Sequence, residues 1–248
     1  MKIISICNRK GGVGKTSTCR ELGGALKRKG FNICYIDLDP QKSLSASILG
    51  LKDAQTDKNT IYSLLKNECD VSEAIRTSEQ GDIIIADTRL TNIIADKNIT
   101  HNSFKSIFDN MTDYDYVLID TAPARSRLTV SVMIASDEII IPTQADTYGV
   151  QTLKEISEEI EQAHKYNPDL TLKGIVITRY MKSTLSNLMI EKIKGAAEML
   201  DTKVYSVSIR ENVSLREAIL MNKSIFDYAP KSNGAKDYQA LCDEYLQS

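Results

Sequence analysis

The stretch NRKGGVGKTS, Asn8–Ser17, follows a short apolar run at the start of the chain. Its glycines, Gly11, Gly12 and Gly14, allow backbone N–H groups to turn inward around phosphate oxygens. A helix that begins at Lys15 would direct its positive N-terminal end towards the same oxygens. A glycine-rich turn between a strand and a helix therefore predicts a phosphate-binding loop.

Two lysines flank these glycines, although one is sufficient for such a loop. Lys15 is expected to contact the β- and γ-phosphates, and the Thr16 hydroxyl is expected to bind Mg²⁺. The common pattern G-x-x-x-x-G-K-[ST] has glycine where this chain has Arg9. The residues predicted to bind the cofactor in this loop are Gly11, Gly12, Val13, Gly14, Lys15, Thr16 and Ser17.

The composition is that of a soluble globular protein, with 42% hydrophobic and 26% charged residues in a chain of 248. One domain spanning residues 1–248 is expected. The five cysteines contain no C-x-x-C pair, which favours buried free thiols in a reducing compartment over disulfides or a metal site. Neither a leader segment nor a run of about 18 apolar residues is recognisable, so a cytoplasmic location is expected.

Apolar, β-branched runs alternate with helical stretches along the chain. Continuous hydrophobicity is typical of strands that are covered on both faces, which predicts a doubly wound α/β fold with a mostly parallel sheet and helices on both faces. The predicted strands are 3–7, 32–37, 82–86, 116–120, 138–142, 173–178 and 203–207. The predicted helices are 15–29, 150–166, 185–200 and 234–246.

Positive charge is concentrated in residues 172–236. This section has eleven Lys or Arg against six Asp or Glu, a net charge of +5, which leaves −7 for the rest of a chain with net charge −2. Such asymmetry is typical of a surface that faces a polyanion. Lysine-rich solvated helix faces are the alternative interpretation.

The form K-G-G-x-G-K-[ST] resembles the variant phosphate loop of the ParA/MinD/nitrogenase-iron-protein group of P-loop ATPases. The resemblance gives Lys10 a role: in that group the first lysine crosses a dimer interface to the nucleotide of the partner subunit. A second cation at the γ-phosphate would stabilise the charge that develops during transfer, much as an arginine finger does. Lys10 and Lys15 are therefore both predicted to be catalytic and to bind ATP.

Two acidic motifs appear in the order that the family requires. In YIDLDPQ (35–41), the resemblance implies that Asp39 orients or activates the attacking water, while Asp37 lies near the magnesium ion. In YDYVLIDTAP (114–123), Asp120 is the expected second acidic residue that holds Mg²⁺ through water. Carboxylates at the ends of strands beside a phosphate loop suit in-line attack on a magnesium-bound phosphate. The predicted metal residues are Thr16, Asp37 and Asp120.

Adenine is the expected base because the chain lacks a guanine-reading N-K-x-D sequence. In the family the base is held by loops after the late strands, which here match Arg179 and Pro230. Similarity to the ParA pattern extends to 137–153 and 209–241. It departs after the 116–120 strand, where A-P-A-R-S-R (122–127) replaces the usual P-P-S-L-G.

The resemblance implies a plasmid or chromosome partition ATPase that binds duplex DNA without sequence preference as an ATP-bound homodimer. The DNA contacts are predicted at Lys194, Arg210, Arg216 and Lys223. The implied cofactors are ATP and Mg²⁺, and the implied partner is a ParB-like centromere-binding adaptor protein that stimulates hydrolysis. The location would be nucleoid-associated.

Two alternatives belong to other functional classes. A MinD-like protein would need a basic amphipathic terminal helix for membrane binding, but the last thirteen residues contain three acids and one lysine. A metabolic enzyme would need either a cysteine just after Asp120, for an iron–sulfur cluster, or a small-substrate pocket. No cysteine follows Asp120, and no membrane partner is expected.

Overall fold

The computed structural model describes residues 1–55 and 58–248. In these residues eight strands form one sheet in the order β3-β4-β2-β5-β1-β6-β7-β8. Their bounds are β1 Lys2–Ile6, β2 Ile33–Leu38, β3 Ile75–Arg76, β4 Asp82–Ile84, β5 Tyr116–Thr121, β6 Glu138–Gln144, β7 Thr171–Tyr180 and β8 Val204–Arg210. Neighbouring strands are parallel except for β3, which runs antiparallel to β4 at one edge.

Helices cover both faces of the sheet. Their bounds are α1 Lys15–Arg28, α2 Ser43–Leu49, α3 Ile61–Leu65, α4 Val71–Ala74, α5 His101–Phe108, α6 Arg127–Ala135, α7 Thr147–His164, α8 Thr184–Met199, α9 Val213–Leu220, α10 Ile225–Tyr228 and α11 Asn233–Leu246. One face is packed by α1, α2 and α9 to α11, and the other by α3 to α8. The predicted doubly wound α/β class is confirmed.

Burial on both faces of the sheet explains why the strand sequences are continuous apolar runs. Ile4, Ile6, Leu118 and Ile140 are all fully buried in the layer between the sheet and α1. Strands covered on both sides have no solvent face that would impose alternation. Seven of the eight described strands were predicted, whereas β3 is only two residues long and carries too little sequence for a pattern.

Local signals set the ends of the helices that matter for the site. Gly14 precedes α1 with φ 83°, and Gly30 follows it with φ 96°, a left-handed conformation that glycine adopts without strain. Asp146 caps α7, because its carboxylate accepts the Gly149 N–H at 2.7 Å. The five cysteines are free thiols, and four of them are buried.

Candidate nucleotide and magnesium site

The phosphate-binding loop lies at the carboxyl ends of the central strands. Asp120 on β5 is in register with Ile6 on β1 and with Asp37 on β2. The loop between β1 and α1 passes directly over these residues. Crevices at the carboxyl ends of parallel strands are where open α/β sheets bind ligands.

The loop backbone forms an open cradle. Gly12 has φ 73° and Gly14 has φ 83°, which orient the backbone in a way that other residues rarely adopt. A Cβ atom built on Gly11 or Gly12 would meet no atom within 4 Å, so the space above the loop is empty of protein. Phosphate oxygens can therefore approach the N–H groups closely.

Lys15 lies inside this cradle and is 7% exposed. Its ammonium group donates to the Lys10 carbonyl oxygen at 3.2 Å. Burial lowers the pKa of Lys15, while the nearby carboxylates of Asp120 and Asp39 oppose that change. The cation is thus held in a partly desolvated position, where its attraction for a phosphate is stronger than in water.

Asp120 and Thr16 form the centre of the candidate magnesium site. Thr16 Oγ1 donates to Asp120 Oδ2 at 2.6 Å, whereas the buried Oδ1 atom has no hydrogen-bond partner. Burial, and then the charge of Asp37, raise the pKa of Asp120 well above its ordinary value. A buried carboxylate oxygen without a donor fits a cation or its water shell, so these residues fit Mg²⁺.

No cluster of three or more His, Cys, Asp or Glu side chains in residues 1–55 and 58–248 could hold a metal alone.

Asp37 supports the site from behind rather than facing the cavity. Its Oδ2 accepts hydrogen bonds from the Ser45 backbone and hydroxyl at 2.8 and 2.7 Å, and its Oδ1 accepts one from the Asp39 N–H. Burial raises the pKa of Asp37 to about 6. Asp39, by contrast, lines the cavity and is half-buried. Of the two carboxylates, only Asp39 is therefore accessible to a water molecule beside the phosphates.

Lys10 turns away from the cavity that Lys15 enters. Its Nζ donates to Asp146 Oδ2 at 2.6 Å and to Gln144 Oε1 at 3.2 Å, and it lies 5.3 Å from the centre of the Tyr148 ring. These partners lie at the end of β6 and the start of α7. Lys10 is not among the residues that line the cavity, although its carbonyl oxygen accepts the hydrogen bond from Lys15.

The cavity beside the loop has a volume of about 550 Å³. Its far wall is formed by β8, α9 and α11, with the apolar side chains of Ile209, Leu215 and Tyr238 and the amide of Asn212. The wall could accept a planar base. Sequence patterns did not single out these residues, which are contributed by elements near the chain end.

Arg179 lines this cavity, and its guanidinium donates to Glu211 at 2.9 Å. Arg210 and Arg216, which were predicted to bind DNA, also line the cavity. Arg210 is held by Asp237 through a 2.9 Å hydrogen bond from Nε and a second from Nη2. Pro230 lies instead in a separate surface cavity with Arg28 and Phe226.

Lys194 and Lys223 lie apart from the cavity. Lys194 is on α8, paired with Glu191 on the same helix at 2.8 Å. Lys223 follows α9, and its carbonyl accepts a hydrogen bond from the buried Arg20. The structure thus brings two of the four predicted DNA cations to one cavity and leaves the other two outside it.

Arg9 is part of a charge cluster that sequence reasoning missed. Its guanidinium donates to Glu159 Oε1 on α7 at 3.0 Å, and Arg125 Nε lies 3.7 Å from the same oxygen. Glu159 is only 1% exposed. Burial raises the pKa of Glu159, and the two arginines counteract this. The unusual arginines at positions 9 and 125 were the only sequence signal for this cluster. Glu159, the carboxylate that both contact, lies too far away in sequence for the pairing to be predicted.

No helix in the described part of the chain has the length and apolarity to cross a bilayer. Last among the helices, α11 buries Tyr238, Leu241 and Tyr245 in the core.

Comparison with known proteins places this site in a family. A family model described as "AAA domain" matches residues 1–172. The chain is 33% identical to the sporulation initiation inhibitor protein Soj of Bacillus subtilis, over 98% of this chain and 97% of Soj. It is 32% identical to the chromosome partitioning protein ParA of Caulobacter vibrioides, over 99% of this chain and 94% of ParA.

Solved structures show the same fold. McdA of Cyanothece superposes with a TM-score of 0.86 at 23% identity, over 99% of each chain. Cobyrinic acid a,c-diamide synthase of Mycobacterium smegmatis superposes with a TM-score of 0.82 at 24% identity, over 100% of this chain and 94% of the synthase. The fold is thus shared by proteins of different function, whereas the sequence similarity is to Soj and ParA. With its variant phosphate loop and similarity to these proteins over nearly the whole chain, the protein belongs to the ParA/MinD superfamily of P-loop ATPases.

Proposed function

We propose that this chain is a DNA-segregation ATPase that acts as an ATP-bound sandwich homodimer. The observation that carries the proposal is the divergence of the two loop lysines: Lys15 enters the cavity, and Lys10 points away from it. A lysine that serves no nucleotide in its own chain is available to a second subunit. Similarity to Soj and ParA over nearly the whole chain supports the same proposal.

Each residue of the site has a role in ATP hydrolysis. Lys15 and the loop N–H groups would bind the phosphates, and Thr16 and Asp120 would hold Mg²⁺, with Asp37 close behind. When bound, Mg²⁺ supplies positive charge to the phosphate oxygens. Asp39 would orient the attacking water and accept its proton. Arg179 and the apolar wall opposite the loop would hold adenine and ribose.

Lys10 makes turnover depend on dimerisation. In the single chain its ammonium is paired with Asp146. In the dimer, Lys10 of each subunit would leave this partner and approach the γ-phosphate in the other subunit. The cation would then stabilise the charge of the transition state. One sheet contains the eight strands of residues 1–55 and 58–248, and we propose that the chain acts as one domain.

DNA would bind to the ATP dimer through exposed cations, including Arg210, Arg216, Lys194 and Lys223. Such contacts to phosphates carry no sequence preference and weaken as salt rises. Hydrolysis would return the dimer to monomers with low DNA affinity, and a ParB-like adaptor on the cargo would accelerate that step. The coupling between nucleotide state and DNA affinity is the proposed function, and it implies association with the nucleoid.

The test is binding to arbitrary duplex DNA with ADP, with ATP, and with ATP at raised salt. Wild type is compared with Lys15→Ala and with Lys27→Ala, a control at the exposed far end of α1. We expect ATP-dependent, salt-sensitive binding that is lost in Lys15→Ala and kept in Lys27→Ala. Absence of DNA binding in every nucleotide state would contradict the proposal.

A MinD-like role on membranes is the second candidate, and the same experiment includes anionic liposomes as an arm. Because α11 buries its apolar face in the core, it offers no free amphipathic surface to a bilayer. ATP-dependent binding to liposomes without binding to DNA would favour this second candidate.

A further inference from the structure

A cationic groove lies on the opposite face of the sheet from α1. Its floor is α6, which packs between α5 and α7. The groove has a volume of about 710 Å³, within the usual range for ligand sites. It is distinct from the nucleotide cavity: none of the residues that line one cavity lines the other.

Four basic side chains line this groove: His101 at the start of α5, Arg125 and Arg127 around the start of α6, and Lys165 at the end of α7. Among the described residues, no Asp or Glu lines it. The nucleotide cavity, in comparison, contains Asp39 and Glu211 besides its cations. The groove lies outside residues 172–236, in the part of the chain whose net charge is −7. Its basic side chains therefore form a local positive patch within an acidic part of the sequence.

The cations of the groove are poorly neutralised by the chain itself. In residues 1–55 and 58–248, the side chains of Arg127 and Lys165 form neither an ion pair nor a hydrogen bond. Arg125 is 53% exposed, and its carboxylate at 3.7 Å, Glu159, is already hydrogen-bonded to Arg9 at 3.0 Å. The guanidinium groups of Arg125 and Arg127 can therefore still donate hydrogen bonds to carboxylates of another molecule.

The rest of the lining is uncharged: apolar and hydroxyl-bearing side chains, together with the amides of Asn102 and Gln162. Val130 and Ile134 form part of the floor, and the Ser131 hydroxyl lies beside them. Tyr166 is 68% exposed at the rim, with its ring centre 6.2 Å from that of His101. A concave surface with an apolar floor and cationic rims complements a chain that carries both acidic and apolar side chains.

We infer that this groove binds an acidic segment of a partner protein, in which carboxylates alternate with apolar side chains. Its length suits such a segment: α6 has nine residues, or about 13 Å of helix, which about four extended residues would span. Duplex DNA suits the shape less well, because its phosphates need a row of exposed cations rather than a trough between helices. The inference does not depend on the nucleotide state or on the proposed DNA surface.

The test is fluorescence anisotropy with a labelled peptide of about twelve residues, in which four glutamates alternate with leucines and the flanking residues are serine and glycine. The same peptide with glutamine in place of glutamate is the chemical control. Arg127→Glu is the main variant, because an acidic residue in the first turn of α6 favours the helix dipole and should leave folding intact. Lys154→Glu, on the exposed face of α7 outside the groove, is the matched charge reversal.

We expect the glutamate peptide to bind wild type and Lys154→Glu, with affinity that falls at raised salt. Arg127→Glu should weaken binding at least about tenfold, and Lys165→Gln should weaken it several-fold. Equal binding of the two peptides, no binding, or equal loss in Lys154→Glu would overturn the inference. Preferential binding of a DNA duplex that Arg127→Glu abolishes would also overturn it and assign the groove to nucleic acid.

Discussion

At the nucleotide edge, Lys15, Asp37 and Asp120 are almost completely removed from solvent, with exposures of 7%, 0% and 1%. The predicted DNA cations are different: the side chains of Arg216 and Lys194 are 64% and 52% exposed. Buried charges must be held by specific partners, so their positions are fixed before a ligand arrives. Exposed cations are screened by water and act through their number.

Substitutions in these two regions should therefore differ in their effect. A change at the nucleotide edge removes one role that no neighbour can replace. A change on the exposed surface removes one of several similar charges. Arg210 lies between the two classes, since its side chain is 44% exposed but is held by Asp237, which is only 7% exposed.

The largest effect is expected from Asp39→Ala. Because Asp39 lines the cavity beside Lys15, its loss should remove the group that orients water while leaving the phosphate contacts in place. We expect ATP turnover to fall at least about 100-fold, with ATP affinity changed less than about threefold and the DNA-bound dimer trapped. Phosphate release and equilibrium nucleotide binding measure the two quantities.

The control for this prediction is Asp113→Ala, which removes an exposed carboxylate before β5. Normal hydrolysis by Asp39→Ala would remove Asp39 from the mechanism and would show that access to the cavity does not mark the catalytic carboxylate at this edge.

The next effect tests the intermediate position of Arg210. Within residues 1–55 and 58–248, Arg210→Ala leaves Asp237 with the backbone N–H of residue 210, at 3.0 Å, as its one hydrogen-bond partner. Because a nearly buried carboxylate loses its counter-ion, we expect the free energy of unfolding to fall by about 1–3 kcal/mol. Arg216→Ala should change it by less than about 0.5 kcal/mol, because its nearest carboxylate, Glu211, is 3.8 Å away at the surface.

Urea unfolding and DNA binding should be measured on both arginine variants. If Arg216→Ala lowers DNA affinity without lowering stability, the exposed surface acts through charge alone. Equal destabilisation by the two changes would contradict the distinction between Arg210, which is hydrogen-bonded to a nearly buried carboxylate, and Arg216, whose ion pair at 3.8 Å is exposed.

A smaller effect is expected from Asp120→Asn in the absence of nucleotide and Mg²⁺. Asp120 and Asp37 repel each other when both are ionised, and burial has raised the pKa of both groups. The native state keeps the Asp37 proton to about pH 6, whereas an unfolded chain releases it near pH 4. Between these values the native state binds more protons, so the free energy of unfolding of wild type falls as pH rises.

Asp120 contributes to the same loss, because burial and then the charge of Asp37 raise its own pKa well above the ordinary value, and asparagine removes that contribution. We expect Asp120→Asn to match wild type below about pH 4 and to exceed its free energy of unfolding by about 1–2 kcal/mol at pH 7. Urea unfolding between pH 4 and pH 7 measures the difference, with Asp109→Asn on an exposed carboxylate as control. A constant difference across this range would contradict the assignment, and magnesium-dependent hydrolysis should be lost in either case.

The sequence predicted the parts of the molecule that depend on local pattern. The phosphate loop, the strands that carry Asp37 and Asp120, and α1 follow from glycine spacing and apolar runs within short windows. The partners of these residues could not be predicted in the same way. Glu159 is 150 residues from Arg9, and Asp146 is 136 residues from Lys10, so only the fold shows that they meet.

For the predicted DNA surface, too, the sequence could not show which charged residues are paired. The net charge over 172–236 is positive, but charge counts carry no information on which of these cations are paired. Arg210 and Lys194 each have a carboxylate partner in the chain. The groove between α5 and α7 was missed because its cations are separated in sequence and lie within an acidic part of the chain.

The smallest effect concerns Lys10, the half-buried lysine that belongs to neither class. Asp146→Asn should keep the cap of α7, because asparagine also caps helices, while it removes the negative charge 2.6 Å from Lys10 Nζ. A partly exposed ion pair contributes about 0.2–1 kcal/mol, and the symmetric dimer breaks two of them, so freeing Lys10 in both subunits should strengthen ATP-dependent dimerisation by about twofold to at most about 30-fold. Sedimentation with ATP measures the dimer constant, with Lys10→Ala expected to impair dimers without preventing ATP binding. If Asp146→Asn weakened the dimer instead, Asp146 would have to hold Lys10 in its crossing position, and the single-chain pair would be part of the interface rather than its competitor.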